Sequence, residues 1–484
     1  MDTDHRLEFG QAWEYAPAPE STPVPLRDRY EPFINGEFVE GRGGEIPSIQ
    51  PSTAQTLTKI TTVNEAQLDE AVKAARRAFE GEWGKTTPRD RGKYLFRIAR
   101  LIQERSRELA ILETMDNGKP IKESRDFDLP QVAAHFFYYA GWADKLAYAK
   151  PGTSPDPVGV VGQVIPWNFP LMMMAWKIAP ALACGNTVVI KPAETTSVTA
   201  LHLAELFQIA GLPPGVVNVV TGEGNIGQAL VRRSGIDKIA FTGSTEVGKE
   251  IAASVAGTEK RLTLELGGKA AHLIFEDAPL DQAVEGIVQG IFFNQGQVCC
   301  AGSRLLVQES VEDEVLERLA RRIQTLRVGD PLDKNSDVGA IHSEAQLTRI
   351  QELVQSGIED GATLTECQTD VPKEGYWFRP TILTGVSGSH RVVQEEIFGP
   401  VLSVMTFRTP DEAVQRANHT PYGLSAGLWT EKGSRALDIA RRLKAGVIWA
   451  NTFNQFDPSS PFGGYKESGF GREGGPQGLW PYLK

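Results

Sequence analysis

The chain has 484 residues, of which 41% are hydrophobic and 23% charged, and its net charge is −11. This length accommodates two or three ordinary domains with a large core, in a composition typical of globular proteins. An acidic balance without a basic stripe excludes nucleic acid as a partner, because phosphates demand clustered Lys and Arg.

Residues 1–30 are proline-rich (Pro17, Pro19, Pro23, Pro25) and lack periodicity, so a surface arm is expected. The segment carries Asp2, Asp4 and Glu8 and no apolar run, unlike a signal peptide. Helical spacing of Leu, Ile, Ala and Phe covers Glu65 to Phe79 and Arg89 to Asn117, and Leu129 to Tyr148 continues as an aromatic-rich helix. Strands and helices then alternate. Val158 to Ile165 reads as a strand, Pro170 to Ala183 as a helix, Thr187 to Ile190 as a strand and Ser197 to Ala210 as a helix. Val216 to Val220 and Lys238 to Phe241 read as strands around a helix at Gly227 to Arg233. Such alternation predicts a doubly wound parallel sheet. A second α/β run begins at Ala271, with a helix at Val311 to Leu326, a strand at Val401 to Phe407 and a helix at Asp411 to Ala417. The most apolar window, Ile178 to Ile190, is too short to cross a bilayer, so no membrane association is expected.

Cys184, Cys299, Cys300 and Cys367 are too few and too irregular for a secreted disulfide framework. No pair has metal-finger spacing, so no metal is expected, and a reducing, cytoplasmic setting fits best. Three segments carry chemistry. Phe293-Asn294-Gln295-Gly296-Gln297-Val298-Cys299-Cys300 supplies a thiol, Glu265-Leu266-Gly267-Gly268-Lys269 a carboxylate, and Pro166-Trp167-Asn168-Phe169-Pro170 a neutral amide donor. Oxidation of an aldehyde through a thioester requires those three groups. Phe241-Thr242-Gly243-Ser244-Thr245-Glu246-Val247-Gly248 reads as a strand, turn and helix start suited to pyrophosphate. Gly222-Glu223-Gly224-Asn225-Ile226-Gly227 is formally GxGxxG, but Glu223 opposes phosphate, so a structural role is expected.

These segments resemble those of the NAD(P)-dependent aldehyde dehydrogenases, from about Pro32 to the last residue. The resemblance implies Cys299 as nucleophile, Asn168 with the Cys299 backbone N–H as oxyanion donors, and Glu265 as the base that activates water. It implies that Lys191 and Glu194 hold the adenosine ribose, a carboxylate there favouring NAD over NADP. Ser244 is the hydroxyl donor of the phosphate turn, Glu396 accepts from the nicotinamide ribose with Phe398 alongside, and Ile165, Trp167, Thr242, Gly243, Gly248 and Leu266 follow the cofactor. Phe169, Met173, Trp176, Val298, Cys300 and Phe456 match the substrate tunnel, with Cys300 able to form a disulfide with Cys299. Lys177 and Glu473 match a proton relay and serve equally as a packing or ion pair. A carboxylate at Glu265 separates hydrolytic members from those that pass the acyl group to CoA.

The expected fold is two doubly wound α/β domains: a nucleotide domain over 31–138 and 157–266 and a catalytic domain over 267–466. A shortened oligomerisation hairpin over 139–156 and a C-terminal bridging segment over 467–484 complete it. Both latter elements are shorter than the family's usual ones, which implies a homodimer rather than a tetramer. Residues 7–21 and Phe136-Phe137-Tyr138-Tyr139-Ala140-Gly141-Trp142 are similar to the sixteenth family of the superfamily, whose members carry a second dehydrogenase-like domain. A separate partner chain of that kind is a further expectation. The rival functions are an assembly subunit with weak or partner-dependent activity and a thioester hydrolase or esterase.

Overall fold

A computed structural model describes residues 16–149, 151–152 and 154–484. Residues 1–15 of the expected arm, and with them most of its likeness to the sixteenth family, lie outside the described residues. The next stretch follows the surface in extended form: Pro19 bridges Asp333, and the Glu20 carboxylate meets Arg107 at 2.9 Å.

Two sheets dominate. The first has eight strands in the order Gly469–Phe470, Arg261–Glu265, Lys238–Thr242, Val160–Val164, Thr187–Lys191, Val217–Val219, Phe33–Ile34 and Glu37–Phe38. Its five central strands are parallel and its margins antiparallel. Thr187–Lys191 is buried at every position, as expected of a strand covered by helices on both faces. The second sheet has seven strands, with Arg304–Gln308 and Ala271–Ile274 at its centre and only Thr363–Glu366 antiparallel. A smaller sheet joins Arg29–Tyr30, Gln55–Thr62 and Gly44–Gln50. The chain is therefore an α/β protein with two mainly parallel sheets, and no helix among the described residues is long and apolar enough to cross a membrane.

Three local expectations change. The helical run from Arg89 to Asn117 is two helices, Pro88–Glu104 and Ser106–Asn117, broken at Arg105 where φ is −100 and ψ is 13. The aromatic helix ends at Trp142, where the chain turns and the Lys145 N–H donates to the Trp142 carbonyl at 2.8 Å. Beyond it, the described part of 139–156 forms no pair of strands. Leu146–Ala149 is a helical turn that buries Leu146 and Ala149, and Trp480 Nε1 donates to the Ala149 carbonyl at 2.7 Å. Packing against the C-terminal segment thus replaces the expected hairpin.

Helix Pro170–Ala183 is buried at all 14 positions and packs between helices Leu129–Trp142 and Val198–Ile209. Beside its N-terminus, the π-helical turn Ser124–Asp128 brings the Asp128 carboxylate to Lys119 Nζ at 2.7 Å, both side chains fully buried. Lys119 also lies 4.1 Å from the ring centre of Phe169. Removing one partner of such a pair leaves a stranded charge, so Asp128→Asn should cost about 3–5 kcal/mol, while Lys119→Met with Asp128→Leu recovers much of it. Chemical denaturation of the three proteins checks this; equal losses in the single and double variants would show that packing, not charge, matters there.

Candidate active site

The thiol segment is built on an unfavourable turn. Asn294 (φ 47, ψ 41), Gln295 (φ 53, ψ 30) and Gly296 (φ 70) are consecutive left-handed residues. For the two non-glycines this costs on the order of 1–3 kcal/mol each. The surroundings over-determine them. Glu123 Oε2 accepts from the Asn294 N–H at 2.9 Å, and Asn294 Nδ2 donates to the Asn168 carbonyl at 2.8 Å. Gln295 Nε2 donates to the Ala340 carbonyl at 2.9 Å, and Gln297 Oε1 accepts from the His342 N–H at 3.0 Å. A Cβ on Gly296 would stand 2.1 Å from the Gly399 carbonyl oxygen. Every residue of Asn-Gln-Gly-Gln therefore has a fixed structural task, and together they present Cys299.

The carboxylate segment approaches from the other sheet. Glu265 ends strand Arg261–Glu265 and is buried. Gly268 is required by contact, because a Cβ there would meet the Cys299 carbonyl oxygen at 2.3 Å, while one on Gly267 would displace the Glu396 carboxylate, whose Oε2 would lie 2.3 Å away. The Gly268 N–H in turn donates to Glu396 Oε1 at 2.9 Å. Asn168 completes the centre, its Nδ2 donating to the Gln297 carbonyl at 2.8 Å with one N–H left over.

These groups line one cavity of about 590 Å³. Its lining includes Thr242, Gly243, Ser244, Leu266, Glu396 and Phe398, the apolar or thiol side chains of Phe169, Met173, Trp176, Val298, Cys300 and Phe456, and Cys299, Asn168 and Glu265. Ser244 caps helix Thr245–Val255, its Oγ accepting from the Val247 N–H at 3.3 Å, which leaves its own proton free to donate. Trp167 stands edge-on to Phe398 at 5.3 Å and stacks on His342 at 4.3 Å. Phe456 packs near Trp176, Phe127 and Phe462 in an aromatic wall.

Five expected site residues do not line this cavity. Lys191 is buried at the end of its strand and donates to Glu194 at 3.0 Å, while the Glu194 carboxylate faces solvent. Ile165 is engaged through its backbone, its N–H donating to the Lys191 carbonyl at 3.2 Å. Gly248 serves close packing, since a Cβ there would stand 2.4 Å from Leu266 Cδ2. Lys177 lies behind the wall, fully buried and hydrogen-bonded to Glu473, which does line the cavity. The GxGxxG segment starts helix Gly224–Arg232, three residues before the expected start, and lies away from the cavity. Sequence reasoning missed Glu123, His342 and Phe462. Only the Asn294–Gln297 amides signalled an unusual turn, and nothing in the chain pointed to the groups that hold it.

Burial sets the charge states. Desolvation, with repulsion from Glu473, holds the Glu265 carboxyl well above the usual carboxylate range, with Lys177 opposing. Burial pushes Glu396 up to about 7 and Glu123 up to about 8. A hydrogen bond with Cys300 and then burial raise the Cys299 thiol well above its ordinary value. Cys300 is itself buried, its Sγ 3.7 Å from Asn454 Oδ1.

The model of the aldehyde dehydrogenase family matches residues 38–484. An aldehyde dehydrogenase family 2 member, B4, mitochondrial, of Arabidopsis thaliana is 47% identical over 465 residues, 93% of this chain and 86% of that protein. An aldehyde dehydrogenase from Bacillus cereus, solved as an NAD+ complex, superposes with a TM-score of 0.93 at 41% identity, covering 96% of this chain and 98% of the other. An indole-3-acetaldehyde dehydrogenase mutant of P. syringae, in complex with NAD+ and IAA, superposes with a TM-score of 0.91 at 40% identity, covering 95% and 96%.

Because the Cys300 contact is the largest influence on the Cys299 thiol, Cys300→Ala should lower its pKa and raise its thiolate fraction at any fixed mildly alkaline pH. Alkylation of Cys299 by iodoacetamide should then speed up, with its pH midpoint moved down. An unchanged pH–rate profile would show that burial alone holds the proton.

Proposed function

Because the chain belongs to the aldehyde dehydrogenase family and is an oxidoreductase acting on aldehydes, we propose that Cys299 carries its substrate through a covalent intermediate to the carboxylic acid, with NAD as cofactor. The observation that carries this reading is the meeting of Cys299, Asn168, Glu265 and Glu396 on one cavity.

NAD suits the residues present. Lys191 and Glu194 would hold the adenosine ribose, and Thr242, Gly243 and Ser244 the pyrophosphate at a helix start. Glu396 and Phe398 would hold the nicotinamide ribose, with Ile165, Trp167 and Leu266 along the way. Gly248 lets the helix sit close to Leu266. Bound NAD supplies the hydride acceptor. The solvent-facing Glu194 carboxylate accepts from a ribose hydroxyl and repels a 2′-phosphate, which supports NAD over NADP.

The chain's own groups then divide the work. Cys299 first gives up its thiol proton to solvent, and the thiolate attacks the carbonyl carbon; a C–S bond forms, the C=O π bond breaks and its electron pair stays on oxygen as an oxyanion. The free N–H of Asn168 Nδ2 and the Cys299 backbone N–H receive that charge, a single such donor contributing about 3 kcal/mol. Oxidation leaves a thioester on Cys299. Glu265, once it has lost its proton, takes one from water; the hydroxide attacks the thioester, the C–S bond breaks and the Cys299 thiolate departs from the acid. The pair of Glu473 and Lys177, behind Glu265, is the route by which that proton leaves. Phe169, Met173, Trp176, Val298, Cys300 and Phe456 accept an apolar substituent, and the IAA complex of the P. syringae relative supports an aromatic one.

We further read the two sheets as a nucleotide domain and a catalytic domain dividing near residue 266, with 467–484 as the bridge, because Gly469–Phe470 pairs with Arg261–Glu265. Phe470, 49% exposed at a sheet edge, and the helical turn at Leu146–Ala149 support a homodimer rather than a tetramer. Four free cysteines support a cytoplasmic setting.

NADH absorbance with a panel of aldehydes tests the reading. Cys299→Ala should abolish turnover, Asn168→Ala should lower kcat by about 10²–10³-fold, and Glu265→Gln should give one turnover and stall. Turnover surviving Cys299→Ala refutes the intermediate, and a wild type inert toward every aldehyde would favour the assembly subunit. Light scattering should give a dimer; a tetramer, or a stable complex only with a second dehydrogenase-like chain, overturns that assignment.

A further inference from the structure

His342 touches none of the reacting groups, yet it meets three segments that surround them. It is buried in the loop just before helix Glu344–Glu359. Its N–H donates to Gln297 Oε1 at 3.0 Å, which ties it to the turn that presents Cys299. Its imidazole lies flat on Trp167, with ring centres 4.3 Å apart and planes 9° from parallel. Its Nε2 shares a hydrogen bond with Thr195 Oγ1 at 2.7 Å, one residue beyond Glu194.

The ring makes two of those contacts, and they act on different segments. Trp167 precedes Asn168, whose Nδ2 donates to the Gln297 carbonyl at 2.8 Å and whose carbonyl accepts from Asn294 Nδ2 at 2.8 Å. Trp167 is itself fixed: Asn117 Nδ2 donates to its carbonyl at 2.7 Å, and Phe398 packs perpendicular to it at 5.3 Å. The helix that follows His342 holds Phe398 in turn, because Gln346 Nε2 donates to the Ile397 and Phe398 carbonyls at 3.1 and 2.9 Å. Toward strand Thr187–Lys191, the Thr195 hydroxyl joins the ring to the segment where Lys191 donates to Glu194. Burial depresses the imidazole to about 4, with the Asn117 backbone and the Glu194 charge opposing. Near neutral pH the Thr195 contact is therefore an ordinary hydrogen bond between uncharged groups.

We propose that His342 is a positioning residue of the reaction, a brace whose ring joins the segment that would hold the adenosine ribose to the segments that carry Asn168 and Cys299; this rests on the reading of Lys191 and Glu194 as the ribose-holding pair. The hydrogen bond steadies the ribose side, and the stack steadies Trp167 and with it Asn168. The backbone tie to Gln297 survives any change of side chain, so the two ring contacts can be removed without freeing the thiol turn.

Three variants of the full chain separate those contacts. His342→Phe keeps a flat ring on Trp167 and loses the bond to Thr195, Thr195→Val loses the same bond from its other end, and His342→Ala loses both contacts. Titration calorimetry gives the NAD dissociation constant, and NADH absorbance gives kcat at saturating NAD with the aldehyde that the wild type turns over fastest. His342→Phe and Thr195→Val should each weaken NAD binding about fivefold, the contribution of one neutral hydrogen bond. His342→Ala should weaken it as much and also bring kcat about tenfold below that of His342→Phe, because Asn168 loses its fixed place. A fall in Tm with both constants unchanged would show a residue that only supports the fold and would overturn the proposal. So would NAD binding indifferent to His342→Phe and Thr195→Val, or equal kcat values for His342→Ala and His342→Phe. If His342→Ala does not fold, His342→Leu, which fills the space without a flat ring, replaces it. A wild type that neither binds NAD nor turns over refutes the cofactor reading and the brace together, whereas wild-type binding with unchanged variants refutes the brace alone.

Discussion

Everything at the reactive centre depends on one strained turn, the left-handed run Asn294-Gln295-Gly296 that delivers Cys299. The turn is unfavourable alone and persists because its amides are bonded to groups on several elements: Glu123 in the helical layer, Asn168 before helix Pro170–Ala183, and Ala340 and His342 in a distant loop. Cys299 is thus held by the tertiary structure as a whole. The same contacts join the two sheets, because the Cys299 carbonyl lies against Gly268, on the chain leaving the first sheet.

The second theme is the use of burial to hold protons. Glu265, Cys299, Glu396, Glu123, Glu113 and Asp116 are all pushed upward chiefly by desolvation, except that for Cys299 the Cys300 contact comes first. A thiol and an acid whose pKa values are raised are each a stronger nucleophile or base once the proton is gone. The bonded pair Lys177 and Glu473 acts electrostatically on Glu265, so opposite charges border that carboxyl.

The chain made much of this legible. Strand and helix alternation marked the parallel sheets, and helix Pro170–Ala183 and strand Val401–Phe407 have the expected limits. Periodicity was less informative where a break depends on a local backbone turn, as at Arg105 and at Trp142–Lys145. The shortened segment over 139–156 was expected as a hairpin, and its Leu146–Ala149 part is a helical turn because Leu146 and Ala149 found a buried surface near Trp480, over 300 residues away. Glu123 and His342 left no trace in the chain, since a lone carboxylate or imidazole has meaning only beside what it touches.

By itself the sequence determined the chemical inventory: a thiol, an amide, a carboxylate, a glycine turn before a helix and the strands that carry them, because each is written in residue type and short-range spacing. Only the tertiary structure decided which polar groups stay charged, which glycines are contact points and which side chains hold the Cys299 turn. Those properties arise from desolvation and from atoms meeting at van der Waals distance, and neither is encoded within a short window of chain.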